Sequence, residues 1–70
     1  MEKNLFKTYC LNLAKIRISK NILAYELSLR LGKDASYVHK VENGKINISL
    51  KMMIKISEIL ETDITKFFEV

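Results

Sequence analysis

Apolar residues recur along the chain at the spacing of α-helices. The pattern predicts a first helix from Lys3 to Ser19, whose apolar face carries Leu5, Phe6, Tyr9, Leu13 and Ile16. Asn21 is expected to end it, because asparagine tolerates the left-handed backbone conformation. A second helix of about Leu23–Leu31 follows, with Gly32 as its stop and an inner face formed by Ala24, Leu27, Ser28 and Leu31.

Three further helices complete the pattern. Asp34 is expected to cap a third helix from Ala35 to Asn43, in which Val38 and Val41 point inward and after which Gly44 closes the helix. Ser49 is expected to cap a fourth, at about 50–60, with one inner stripe of Leu50, Met53, Ile54, Ser57 and Leu60. Asp63 is expected to cap a short fifth, at about 64–68. The prediction is one all-α domain over 1–70, a five-helix bundle.

Size and composition exclude several classes of function. The chain has 70 residues, enough for one small domain, and its single cysteine, Cys10, allows neither an internal disulfide nor a cysteine-based zinc finger. Cys10 is expected to be a small buried side chain. With one histidine, His39, no histidine metal cluster is expected, and neither a nucleotide-binding loop nor a catalytic constellation is recognisable. We therefore expect no enzyme, cofactor, metal or small-molecule ligand.

No apolar run approaches the roughly 18 residues of a membrane span, and the first residues lack a secretory signal. A reduced, cytoplasmic setting is expected. The formal net charge is +4, and its distribution is uneven. Arg30–Lys55 holds six basic residues against Asp34 and Glu42, whereas 56–70 is acidic. A basic middle suggests a face for a polyanion, although lysines that only keep the domain soluble would give the same balance.

The segment 23–44 has the spacing of a helix-turn-helix, in which the second helix enters the major groove of DNA. The outward side of the third helix carries small and polar residues without acids, namely Ser36, His39, Lys40 and Asn43. Such donors suit base edges and phosphates. Lys33 and Lys45 flank this helix as candidate phosphate contacts. Tyr37 either reaches DNA or packs its ring on the second helix with its hydroxyl exposed.

The run from Ile22 to Gly44, continuing to Leu50, resembles the helix-turn-helix domain of phage repressors, Cro proteins and their XRE-family relatives. Val41–Lys45 is especially similar to the end of their recognition helix, and the resemblance covers about Tyr9–Phe68. It implies that Ala35, Ser36 and Lys40 read bases and that Asn43 and Lys45 contact phosphates. It also implies a partly buried ion pair between Arg17 and Glu42.

The chain departs from this family at several positions. Where relatives begin the second helix with a polar cap and a glutamine, this chain has Leu23 and Ala24. Ala35 cannot form a hydrogen bond to a base edge, although its methyl group suits thymine. Glu61 stands where relatives often have glycine or asparagine.

More apolar residues are present than five short helices need. A surface for a second copy or another partner is expected from Leu11, Ile18, Tyr25, Leu29, Phe67 and Phe68, unless these are scattered exposed residues.

The sequence favours a sequence-specific DNA-binding regulator, a small repressor that binds a palindromic operator as a homodimer. The alternative is a helix-turn-helix retained as a protein-interaction module, antitoxin-like or an antirepressor partner, with weak or no DNA binding. Leu23, Ala24, Tyr25 and Leu29 keep that alternative open.

Overall fold

The computed structural model describes residues 4–70, so the predicted helix start at Lys3 lies outside the described residues. Within this range all regular structure is helical, which confirms the all-α prediction. The elements are α1 (Leu5–Ser19), α2 (Ala24–Arg30), α3 (Tyr37–Glu42), α4 (Leu50–Ile59) and a C-terminal 3₁₀ helix (Ile64–Phe68). The predicted fifth α-helix is therefore a 3₁₀ helix. No helix of residues 4–70 combines the length and apolarity needed to cross a bilayer.

Helix α3 begins two residues later than predicted, at Tyr37. Asp34 Oδ1 accepts hydrogen bonds from the Ser36 amide (2.9 Å) and from the Ser36 hydroxyl (2.6 Å). These bonds close a turn in front of the helix, and Asp34 caps this turn rather than α3. The other predicted caps are confirmed: Ser49 accepts from the Met52 amide at 3.1 Å, and Asp63 from the Thr65 amide at 2.9 Å.

Four residues between the helices adopt a left-handed backbone: Asn21, Gly32, Gly44 and Glu61. Gly32 has φ +74°, and a Cβ added there would meet no atom within 4 Å. The turn between α2 and α3 therefore needs glycine for its conformation rather than for space. Glu61 has φ 50°, which is unfavourable for a residue with a side chain.

We expect Glu61→Gly to stabilise the domain by about 1 kcal/mol. A glutamate in the left-handed conformation costs roughly 1–2 kcal/mol, and the higher entropy of glycine in the unfolded chain offsets part of the stabilisation. Thermal and urea unfolding followed by circular dichroism would measure the change. Glu58→Gly is the matched control, since it removes the same charge from an exposed position inside α4. It should destabilise, because glycine weakens a helix interior. A lowered melting temperature for Glu61→Gly would contradict the expectation.

The core forms around α1 and the C-terminal 3₁₀ helix. It consists of Tyr9, Leu13, Leu27, Leu31, Val38, Val41, Ile56, Leu60 and Phe67. The ring of Tyr9 stacks on Phe67 at 5.3 Å and lies 5.5 Å from Phe68. Asn12 Nδ2 donates to the carbonyl oxygens of Phe67 (2.9 Å) and Glu69 (2.7 Å), which fastens the 3₁₀ helix to α1.

Two residues predicted for the partner surface are thus placed differently. Phe67 is fully buried and Phe68 is half-buried against the core. The physical reason is that the apolar face of α1 needs a cover, and the two rings supply it. The prediction was wrong for Phe67, and Phe68 is only partly accessible. Cys10 is buried, as expected, and burial raises the pKa of its thiol.

The inner side of α4 also differs from the predicted stripe. Ser57 and Leu60 are buried as expected, but Leu50 is 65% and Ile54 43% exposed. Met53 packs against the core as predicted, whereas Ile56, Met52 and Ile59, which were not part of the predicted stripe, also face it. The apolar arc of this helix is wider than one face, so periodicity alone could not tell which part is buried.

Candidate nucleic-acid interface

An ion pair between α1 and α3 fixes the position of α3. Arg17 Nε lies 2.6 Å from Glu42 Oε2 and Nη2 lies 3.1 Å from Oε1, so the guanidinium and the carboxylate meet as two parallel forks. The side chains of Arg17 and Glu42 are only 12% and 9% exposed. Arg17 Nη1 also donates to the Ile22 carbonyl at 2.8 Å, which ties the α1–α2 loop to the same group. The structure thus contains the pair that the family resemblance implies.

A buried serine joins α2 to α3. The Ser28 hydroxyl donates to the Ala24 carbonyl at 2.8 Å and accepts from the Val38 amide at 2.9 Å. Ser28 and Val38 are fully buried, so no water can accept a hydrogen bond from the Val38 amide. The Ser28 oxygen therefore satisfies this amide in the first turn of α3. The sequence placed Ser28 on the inner face of α2 but did not predict this bridge. A hydroxyl among apolar inner positions was the available signal.

One side of α3 and of the turn before it is exposed. We call it the α3 outer face, and it consists of Ala35, Ser36, His39, Lys40 and Asn43. Val38 and Val41 point into the core, as predicted. Lys33 precedes the face and Lys45 follows it, and both are exposed. The structure therefore leaves this face uncovered within residues 4–70.

Tyr37 and Asn43, both candidate contact residues, make contacts within the domain. Tyr37 is half-buried against the core, and the Lys33 ammonium lies 5.4 Å from the centroid of its ring. Burial raises the pKa of the Tyr37 phenol, so the hydroxyl stays neutral. Asn43 Nδ2 donates to the His39 carbonyl at 2.8 Å. Its second N–H and its oxygen can still contact a ligand.

The charge around the α3 outer face is mainly positive. Glu42 directs its carboxylate at Arg17, and none of the ion pairs in residues 4–70 involves Lys33, Lys40 or Lys45. Asp34 is the exposed carboxylate here, and the hydrogen bonds from Ser36 lower its pKa. Three lysines, Lys40 on the face and Lys33 and Lys45 beside it, therefore accompany one ionised carboxylate at its edge.

The other four residues of the predicted partner surface are exposed. Leu11, Ile18, Tyr25 and Leu29 each expose more than half of their surface. Leu23, which precedes α2, is also exposed and has no side-chain oxygen for a cap. Its amide instead donates to Glu26 Oε1 at 3.4 Å. No group of three or more potential metal ligands occurs in the described part of the chain.

Comparison with known proteins identifies similar folds. A family model described as "Helix-turn-helix" matches residues 13–67. The chain is similar to the crystal structure of the hypothetical transcription factor NHTF from Neisseria, with a TM-score of 0.85 and 26% identity, over 94% of this chain and 76% of that one. It is also similar to the restriction-modification controller protein C.AhdI from Aeromonas hydrophila, with a TM-score of 0.80 and 28% identity, over 90% of this chain and 91% of that one. No curated protein matches the chain.

Proposed function

The chain belongs to the XRE family of helix-turn-helix proteins, and from this membership we propose that it is a sequence-specific DNA-binding transcription regulator. The family is one of DNA-binding regulators and not a class of enzymes. The α3 outer face enters the major groove of DNA, while α2 lies across the opening of that groove. The observation that carries the proposal is the exposed α3 outer face, together with Lys33, Lys40 and Lys45, which take part in none of the ion pairs of residues 4–70.

The residues of this face and its neighbours Lys33, Tyr37 and Lys45 divide by chemistry. Lys33, Asn43 and Lys45 contact phosphates and set the register of the protein on the duplex. These contacts carry no sequence information, because every nucleotide has the same phosphate. Base edges are read by Ala35, Ser36, Tyr37, His39 and Lys40, all of which are exposed except Tyr37. The half-buried ring of Tyr37 limits its part to the hydroxyl end.

We further propose a small cytoplasmic repressor that acts as a homodimer. One α3 of six residues reads only a few base pairs, and a two-fold dimer on a palindrome doubles that contact. Leu11, Ile18, Tyr25 and Leu29 are exposed apolar side chains from which the contact between copies would form. Sedimentation with and without DNA measures the stoichiometry. A monomer on DNA at high micromolar concentration would contradict the dimer.

Two lysines should differ in their effect on DNA binding. We expect Lys40→Ala to weaken binding to a selected site by about 1–3 kcal/mol and to relax preference at one base pair, because a lysine contact to guanine is lost. Lys45→Ala should lower affinity evenly across sequences and reduce the slope of log affinity against log salt by about one. Fluorescence anisotropy with DNA from upstream of the chain's own gene, titrated with salt and competitor, measures both.

The control for this experiment is Lys15→Ala, which removes an exposed lysine of α1 that belongs to neither the α3 outer face nor its flanking lysines. Its binding should equal that of the parent. If Lys40→Ala and Lys45→Ala also bind like the parent, the assigned face is wrong.

The alternative, a protein-interaction module, is favoured by the exposure of Tyr25 and Leu29 on α2, 55% and 58%. These two side chains lie one helical turn apart and form an apolar contact point. Absence of specific DNA retention, together with a partner protein released by Tyr25→Ser, would select this function over the regulator.

A further inference from the structure

The turn before α3 fixes the orientation of one hydroxyl in the proposed interface. Asp34 Oδ1 receives two hydrogen bonds from Ser36, from the amide at 2.9 Å and from Oγ at 2.6 Å. An ionised carboxylate has no hydrogen to give, so the hydroxyl hydrogen of Ser36 must point at Asp34. The lone pairs of Ser36 Oγ are all that this exposed side chain can offer to another molecule.

A serine with a free hydroxyl rotates it to donate or to accept, and it therefore discriminates bases weakly. Ser36 has lost the donor role. In the major groove the donors are the N6 amine of adenine and the N4 amine of cytosine, whereas guanine and thymine present carbonyl oxygens at the corresponding edge. An oxygen restricted to accepting meets an amine favourably and a carbonyl repulsively.

We propose that Ser36, oriented by Asp34, is a specificity-determining residue that requires an exocyclic amine, on adenine or cytosine, in the strand it contacts. This inference rests on the proposed DNA-binding function. Asp34 strengthens the requirement, since its carboxylate adds a second acceptor beside Ser36. Lys40, one helical turn further along the exposed side, has only donors and requires the opposite, an acceptor-rich base such as guanine.

The parent chain should prefer, at one position of its DNA site, a base whose exocyclic amine determines the affinity. A random DNA library is selected with the parent chain, and the base whose preference disappears with Ser36→Ala marks the contact. If the marked base in the selected site is adenine, it is replaced by unsubstituted purine. If it is cytosine, it is replaced by 2-pyrimidinone. Either replacement removes the exocyclic amine from the base. The parent should lose about fivefold or more in affinity on this deletion. Ser36→Ala should bind both DNAs equally.

The Asp34→Ala variant tests the orienting role. It leaves Ser36 in place but releases its hydroxyl, so guanine and thymine should become acceptable at the marked base while the other preferences persist. Circular dichroism checks that Asp34→Ala is folded. If it is not, the amine deletion compared between the parent and Ser36→Ala decides alone.

The outcomes separate this inference from the proposed function. Enrichment of no DNA by the parent would overturn both. Enrichment of a specific site whose Ser36-dependent base is guanine or thymine, or is insensitive to loss of its amine, would overturn the inference and leave the regulator intact.

Discussion

Arg17→Met is expected to lower the free energy of unfolding by about 3–5 kcal/mol, because it leaves the Glu42 carboxylate charged, largely buried and unpaired. The Ile22 carbonyl loses its donor in the same change. A domain of this length has a total stability of roughly 4–10 kcal/mol. The variant should therefore be close to unfolding at room temperature. Urea unfolding followed by circular dichroism measures the loss.

The chain contains a matched control for Arg17→Met. Arg30 and Glu26 also pair, at 3.4 Å, but their side chains are 49% and 42% exposed. Arg30→Met should cost no more than about 1 kcal/mol, because water already solvates both charges. The double variant Arg17→Met with Glu42→Leu should recover most of the lost stability, since no buried charge remains. Equal losses for Arg17→Met and Arg30→Met would show that the α1–α3 pair is not what holds α3.

Phe67→Ala is expected to cost about 3–5 kcal/mol, the usual effect of emptying a fully buried aromatic site. The cavity would open directly against the ring of Tyr9. The loss should also reach α3 indirectly, because the 3₁₀ helix packs on α1 and α1 carries Arg17. Thermal unfolding measures the effect on stability.

Phe68→Ala is the control for Phe67→Ala, since it truncates the same side chain one position along the same 3₁₀ helix. Phe68 is half-buried and tilted against Tyr9, so its truncation should cost clearly less. If both variants lost the same stability, or if Phe67→Ala were tolerated, the C-terminal 3₁₀ helix would not be part of the core.

Local chemistry made much of the fold predictable. Asn21, Gly32 and Gly44 end helices in the left-handed conformation, as expected, because that preference depends on the residue itself. Ser49 and Asp63 accept hydrogen bonds from amides two or three positions ahead, which is again a local relation. A local hydrogen bond also explains why the predicted start of α3 was wrong. Asp34 accepts hydrogen bonds from Ser36 in a turn and is therefore not the cap of α3.

Tertiary contacts decided the parts that the sequence did not predict correctly. The apolar surplus was visible, but only the packing of Tyr9 shows that Phe67 belongs to the core. The exposure of Leu50 and Ile54 likewise depends on which neighbours α4 meets. The α3 outer face was predictable from spacing because its neighbours Val38 and Val41 set its direction. The orientation of the Ser36 hydroxyl was not, since it requires the distance to Asp34.

The Ser28 hydroxyl forms hydrogen bonds with the backbone of both α2 and α3. A tilt of α3 relative to α2 would break the hydrogen bond from the Val38 amide and leave that amide buried without an acceptor. We therefore expect α2 and α3 to keep their relative orientation when the proposed interface binds DNA. The association rate should then depend on diffusion and on ionic strength rather than on a conformational step.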